Sequence, residues 1–399
     1  MSCLTAFGEG GLGYHLSFIA NAAQLRTKIG QYPYVYCVGA KTSRGSTKEN
    51  IYVQSIKPER PWQFVYNYSP LRWVPSAQVH AMESYFDKMV SERLPRHRVI
   101  LHSFPGCAEA TFRKVHKFGG TTVLEAATTH VNTLFKEVVS EHKKFRMGGN
   151  PFSETRRKQM VREYELADYI TVSSTLQRDS FIENGCPSHK LLYVPLGIDT
   201  NRFAPVANQC SARPREKGGK FRVIQVGQVS LLKGFHYVLE ALKLLKDPEV
   251  EFVLLGGVGW RRIQQLIQSY QQAGVKVIHV TGDPVPWLRS SHVCVHASIQ
   301  DGFGLSPLEA MSCGLPTIVT DQTGVKDTVV HGYNGYIVNS RDVQSIADYI
   351  MFLKNNDGFR IGMGHGARQI ALNYDSQTMT RHYKTRLLPI WVQEGWTRE

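Results

Sequence analysis

The 399-residue chain has no run approaching the ~20 consecutive apolar residues of a membrane span. Its opening residues carry no basic n-region, so no secretory signal is expected. Seven cysteines (Cys3, Cys37, Cys107, Cys186, Cys210, Cys294, Cys313) are scattered without a Cys-x-x-Cys or a metal-ligand spacing. Reduced thiols and a cytoplasmic location are the expectation. No Asp-x-Asp occurs, and no zinc-finger, RRM or helix-turn-helix signature. Acid is also in deficit: 47 Lys and Arg face 33 Asp and Glu, a net charge of +14. The excess is +8 over residues 1–200 and +6 over the rest, so no basic tail is present. A spread excess suits nucleotides, phosphorylated lipids or an anionic membrane surface better than nucleic acid.

What is present is an α/β pattern. Short β-branched runs alternate with helical segments: "YVYCV" (34–38), "VILHS" (99–103), "TTVLE" (121–125), "YITVS" (169–173), "RVIQV" (222–226), "EFVLL" (251–255), "KVIHV" (276–280), "HVCVH" (292–296) and "PTIVT" (316–320). Most are apolar on both faces, as parallel strands covered by helices require. The alternation predicts two Rossmann-like, doubly wound domains. Residues 199–220, rich in proline, glycine and charge, read as a linker between an N-terminal domain (1–198) and a C-terminal one (221–373). Residues 374–399 read as a basic, aromatic helix that could cross back to the N-terminal domain.

The opening "MSCLTAFGEGGLGYHLSFIANAAQL" contains G-x-G-x-x-G at Gly8–Gly13, the dinucleotide fingerprint. That reading needs an acid about 20 residues on to hold the ribose hydroxyls. No Asp or Glu lies between Glu9 and Glu49; Arg26, Lys28, Lys41 and Arg44 leave only an NADP-type site open. Bare amides at a helix N-terminus bind any phosphate, so the motif predicts an anion rather than a nicotinamide.

The most informative stretch is "ASIQDGFGLSPLEAMSCGLPTIVTDQTGVKDTVVHGYNGYIV" (297–338), where Asp301 and Glu309 are separated by seven residues. With "GEGGLG", "EYELADYITVSS" (163–174), "YVPLGIDTNRF" (193–203) and "VIQVGQVSLLKGFHYVLEAL" (223–242) in order, the chain resembles family-four retaining glycosyltransferases of the two-domain GT-B fold, the glycosyl transferases group 1. The resemblance implies two domains facing a cleft, with donor on the C-terminal side and acceptor on the N-terminal side. It implies a nucleoside-diphosphate sugar as co-substrate; no cofactor is expected, and the lack of Asp-x-Asp predicts metal-independent transfer.

In transfer from such a donor, negative charge grows on the bridging oxygen, where cations and fixed amides act best. Lys233 is the candidate diphosphate clamp. The family's arginine five residues earlier is Gln228 here, which lacks the charged fork. Glu309 corresponds to the glutamate that binds the donor ribose. Locally it also completes a capping box, with Ser306 as N-cap and Pro307 at the first helical position. Asp301 stands where the family has Glu, and its shorter arm withdraws the carboxylate by about 1.5 Å. The amides of Phe303, Gly304 and Leu305 are candidates to orient the sugar. His130, before a helix in "TTVLEAATTHVNTLF", matches a histidine that touches the donor sugar, or is a satisfied strand-end histidine; His102 and Glu125 are weaker candidates. Gly10 and Gly11 would form the acceptor-domain wall facing the diphosphate.

The expected activity is retaining, metal-independent hexosyl transfer to an acceptor hydroxyl, by a same-face displacement with the leaving diphosphate assisting. The alternatives are a sugar-nucleotide epimerase or phosphorylase of the same fold, or a non-catalytic sugar-nucleotide binder. Residues 57–98 mix Trp, Tyr and Phe with Arg and Lys. They suit sugar stacking or peripheral membrane attachment, or an ordinary α/β connection. Soluble sugar, lipid-linked sugar and other hydroxyl acceptors all stay open.

Overall fold

A computed structural model describes residues 2–3, 34–37, 52–55, 75–147, 152–206 and 219–393. Gly10 and Gly11, residues 57–74 of the aromatic segment and residues 207–218 of the expected linker lie outside the described residues.

The N-terminal sheet contains β1 (Ser2–Cys3), β2 (Tyr34–Cys37), β3 (Tyr52–Ser55), β4 (Ile100–Ser103), β5 (Thr121–Glu125), β6 (Tyr169–Val172) and β7 (Leu191–Tyr193). Their order is β3-β2-β1-β4-β5-β6-β7, every pair parallel. The second sheet contains β8 (Phe221–Val226), β9 (Val250–Leu255), β10 (Val277–Val280), β11 (Val293–His296), β12 (Thr317–Thr320) and β13 (Gly335–Val338). It runs β10-β9-β8-β11-β12-β13, again all parallel. Parallel strands demand crossovers, and helices supply them. These are α1 (Pro75–Arg93), α2 (Glu109–Lys117), α3 (Val131–Lys144), α4 (Glu154–Leu166) and α5 (Thr175–Glu183) in the first half. The second half has α6 (Phe235–Leu245), α7 (Arg261–Gln272), α8 (Pro284–Arg289), α9 (Leu305–Ser312), α10 (Val343–Asn355), α11 (Asp357–Leu372) and α12 (Ser376–Gln393). The predicted two doubly wound sheets are therefore present.

Each sheet has its own core. Phe86, Leu101, Phe112, Leu124, Ile170 and Phe181 fill the first. Phe221, Val223, Phe235, Leu254, Val295 and Ile350 fill the second. In each sheet the strand order reverses once, between β1 and β4 and between β8 and β11. Loops leaving such a reversal diverge and open a crevice at the strands' C-terminal ends, where α/β proteins bind ligands.

The two halves touch along two seams. At one, Ser174 Oγ donates to the Gly302 carbonyl at 2.6 Å, and Asp327 accepts from the Thr175 amide (2.7 Å) and hydroxyl (2.6 Å). The Gln300 side-chain amide donates to Thr129 Oγ1. Only glycine fits at 302, since a Cβ would lie 2.6 Å from the Ala127 carbonyl oxygen. At the other, Glu141 of α3 accepts from His236 Nε2 (3.0 Å), Tyr237 OH (2.5 Å) and Arg341 Nε (3.1 Å). Burial alone would raise that carboxyl, but hydrogen bonds from His236 and Tyr237 and the Arg341 charge hold it at about 2.

The chain returns to its first half at the end. Ile198 N–H donates to the Tyr374 carbonyl (3.0 Å) and Ser376 N–H to the Ile198 carbonyl (2.8 Å). From α12, Tyr383 OH donates to Glu125 Oε1 at 2.6 Å, at the end of β5.

Candidate functional site

The loops after β8 and β11, at the second reversal, carry the predicted acidic pair and lysine. After β8 the chain makes a one-turn 3-10 helix, Leu231–Lys233, with Leu231 buried in the core. The buried Gln225 donates its amide to the Lys233 carbonyl at 2.6 Å, fixing the backbone of the lysine. Gly234 follows with φ +66°, and a Cβ there would sit 1.7 Å from the Ala297 carbonyl oxygen. Only glycine lets the two loops approach this closely. Ile299 N–H donates to the Leu232 carbonyl (3.0 Å), completing the seam between them.

Across that seam Lys233 Nζ pairs with Asp301 Oδ2. The same oxygen lies 2.9 Å from Nε2 of the buried His296, the last residue of β11. Burial alone would push the Asp301 carboxyl up, but the Lys233 charge and the His296 bond hold it well below the usual carboxylate range. The lysine and aspartate side chains stay 26% and 13% exposed, enough to reach a ligand.

Eight residues further on, Glu309 lies on α9. Its carboxyl makes no hydrogen bond or ion pair among the described residues, and burial raises it to about 7, opposed by the Arg202 charge. The expected capping box is not formed. The N-cap is Gly304, in a left-handed conformation, and Leu305 begins the helix. Ser306 Oγ donates instead to the Val226 carbonyl (2.8 Å), tying α9 to the end of β8. With Ser306 turned away, Glu309 has no cap to reciprocate. The amides of Phe303, Gly304, Leu305 and Ser306 have no acceptor among the described residues. They are the free donors of a helix start.

Other expected residues sit differently. The Phe303 side chain is buried with Leu308, Met311, Val319 and Val325, so only its amide is available. Gln228 is exposed and its side chain makes no hydrogen bond among the described residues. His130 is turned into the N-terminal core, with ring centroids 4.8 Å from Tyr164 and 5.2 Å from Phe181. Its Nδ1 accepts from the Asn132 amide (3.2 Å), which makes it the N-cap of α3. Burial lowers the imidazole to about 4, so it is neutral at pH 7. His102 and Glu125 are consumed by a buried network: His102 Nδ1 to Glu125 Oε1 at 2.6 Å, with Tyr383 OH on both. The structure thus joins Lys233 to Asp301 and leaves His130, His102 and Glu125 in the packing of the other half.

Sequence reasoning missed His296 and Gln225. The available signal was a polar residue at or near the C-terminal end of each of two largely apolar strand patterns, "HVCVH" and "RVIQV".

Among the described residues no three His, Cys, Asp or Glu side chains converge to hold a metal ion, and no helix is long and apolar enough to cross a membrane.

Residues 208–370 match the family model described as glycosyl transferases group 1. A D-inositol 3-phosphate glycosyltransferase of Xylanimonas cellulosilytica is 31% identical over 218 residues, covering 51% of this chain and 52% of that protein. The chain thus spans about half the length of the curated relatives it matches. Sucrose-phosphate synthase from Thermosynechococcus elongatus superposes with a TM-score of 0.69 at 17% identity, covering 98% of this chain and 96% of that one. HepE from Anabaena, in complex with UDP-glucose, gives a TM-score of 0.69 at 17% identity, over 98% of this chain and 100% of that one. Over residues 208–370 the chain is similar to the glycosyl transferases group 1, and as a whole it has the GT-B fold.

Proposed function

We propose that the protein is a retaining glycosyltransferase that moves a sugar from a nucleoside-diphosphate sugar to an acceptor hydroxyl, without a metal ion. The observation that carries this reading is the convergence at one strand reversal of a lysine, a partly open acidic pair and a row of free helix-start amides. Lys233 takes the diphosphate, giving up part of its bond to Asp301 as charge grows on the leaving oxygen. The amides of Phe303 to Ser306 add fixed donors to the same charge. Glu309 accepts from the ribose hydroxyls, and a partner there restores the hydrogen bonding its carboxyl lacks in the free protein. Among the described residues no carboxylate pair is placed to act as nucleophile and acid, so the leaving diphosphate itself assists attack on the same face.

The acceptor is proposed to be a polyol or sugar carrying phosphate, free or lipid-linked. The +14 charge and the name of the inositol-phosphate relative support that class. A non-catalytic sugar-nucleotide binder is the second reading, favoured by the neutral Gln228 and by Lys233 being already paired.

The test is donor turnover by the purified protein against a panel of UDP-, GDP- and ADP-sugars, with and without EDTA. Hydrolysis or transfer unaffected by EDTA and lost in Glu309→Ala is expected. Binding of a nucleoside diphosphate with no turnover of any sugar would favour the second reading.

A further inference from the structure

We propose that His296 is a positioning residue for this chemistry, one that places the Lys233 ammonium by way of Asp301. The inference rests on the reading of Lys233 as the diphosphate-binding group. Asp301 uses one oxygen, Oδ2, for both Lys233 Nζ and His296 Nε2, and Oδ1 has no partner among the described residues. A carboxylate with one bound oxygen swings about its χ torsions; a second donor on that oxygen removes the freedom. His296 supplies it from the end of β11, a strand buried on all four residues, so the anchor is rigid.

The protonation state follows from the geometry. Asp301 is ionised, because burial is outweighed by Lys233 and His296, and an ionised carboxylate only accepts. Nε2 must therefore carry the proton. Burial keeps the ring below its ordinary pKa, against the pull of Asp301, so the imidazole is a neutral donor. Ser298 Oγ, 2.9 Å from the same nitrogen, then lies beside an N–H and cannot donate to it.

Space is arranged to match. A Cβ on Gly304 would stand 3.3 Å from Nε2 and 3.6 Å from Asp301 Oδ2, so the pair abuts the start of α9 and its free amides. His296, Asp301, Lys233 and the helix start form one contiguous unit. Lys233 is held at its carbonyl by Gln225 and at its ammonium by Asp301, and His296 stands behind the second hold.

The experiment compares His296→Leu, which removes the donor, with His296→Gln, whose terminal amide reaches the position of Nε2. Reductive methylation with 13C-formaldehyde places a reporter on Lys233, assigned with Lys233→Arg. Its resonance should move in H296L and return to the wild-type position in H296Q, with both variants folded by circular dichroism. With UDP-glucose and GDP-mannose as donors, kcat/KM should fall about tenfold in H296L and recover in H296Q, the scale of one hydrogen bond to a charged group. The same change in a Lys233→Ala background should cost nothing further. An unmoved Lys233 resonance in folded H296L, or a full tenfold loss persisting without Lys233, overturns the proposal. Absence of turnover with every donor in the wild type would overturn the transferase reading alone, because the resonance reports on His296 and Lys233 without a donor.

Discussion

The two halves of the molecule share a topology, a parallel sheet whose order reverses once, and place polar side chains near the C-terminal ends of corresponding strands. In the N-terminal half those groups face each other. His102 and Glu125 are 6% and 0% exposed and bind one another and Tyr383, while His130 caps a helix inside the core. In the C-terminal half the groups are held from behind. Gln225 and His296 are buried, Lys233 and Asp301 stand in front with part of each side chain open, and Glu309 is half-buried with its carboxyl unbonded among the described residues. Burying the supports while leaving the ends free separates a site from a structural network, since a ligand group must be locked by packing yet keep unfilled hydrogen-bonding capacity. The residue types alone do not distinguish the cases: each half has a histidine, a carboxylate and a neighbouring hydroxyl.

Removing the lysine puts the largest strain on this contrast. Lys233→Ala should lower kcat/KM for the donor by about 10²–10³, the range for losing one charge-stabilising group. It should also lower Tm, because Asp301 is left ionised and short of a partner. Lys233→Ala with Asp301→Asn should recover Tm and not turnover, as measured by thermal unfolding and donor kinetics on the same preparations. Recovery of both would mean that the pair is structural in the C-terminal half too.

His130 gives a test of the other half through pH. Its imidazole titrates at about 4 when folded, against 6.5 for the unfolded group. The unfolded chain therefore binds the proton first, so stability is full above pH 6.5 and is lost as pH falls toward 4. The loss should reach about 3 kcal/mol at pH 4. Urea unfolding at pH 7 and pH 4 measures it. His130→Asn keeps an N-cap acceptor without a titrating group and should flatten the difference. A pH profile unaltered in that variant would show that the ring is not desolvated as its contacts with Tyr164 and Phe181 require.

How much of this was legible in the sequence follows the same divide. The nine quoted runs correspond to strands, because burial on both faces leaves a dense apolar signature. β7 escaped notice because it is three residues long, β13 because "GYIV" opens on a glycine that follows the turn sequence "HGYN", and β3 because "YVQS" is half polar. At the site, Lys233, Asp301 and Glu309 were readable through the resemblance of their motifs to those of the glycosyl transferases group 1, since local spacing alone left Lys233 a surface lysine and Glu309 a helix cap. The Ser306 cap was read from local spacing and overruled by a carbonyl 80 residues away on β8, which spacing cannot register. His130 could be assigned either way until its rings were seen packed. The partners of His102 and Glu125 were hidden for the same reason, as Tyr383 lies 258 positions from the glutamate it binds.

That long-range hydroxyl offers the smallest expected effect. Tyr383→Phe removes the hydroxyl that donates to Glu125 and lies 3.2 Å from His102 Nδ1, and leaves the ring in place, while Glu125 keeps His102 and the Thr171 hydroxyl. Burial and the Glu125 charge raise the phenol well above its ordinary pKa, so it is a neutral donor at every working pH. The loss should be about 1–2 kcal/mol, the range for a buried hydrogen bond to a charged group whose acceptor stays partly satisfied. Urea midpoints should fall while kcat and the donor KM stay put, since α12 clamps the N-terminal sheet and does not reach Lys233. A variant with unchanged stability and altered kcat would move Glu125 and His102 into the working site. The contrast between a half that spends its polar groups internally and a half that presents them would then no longer hold.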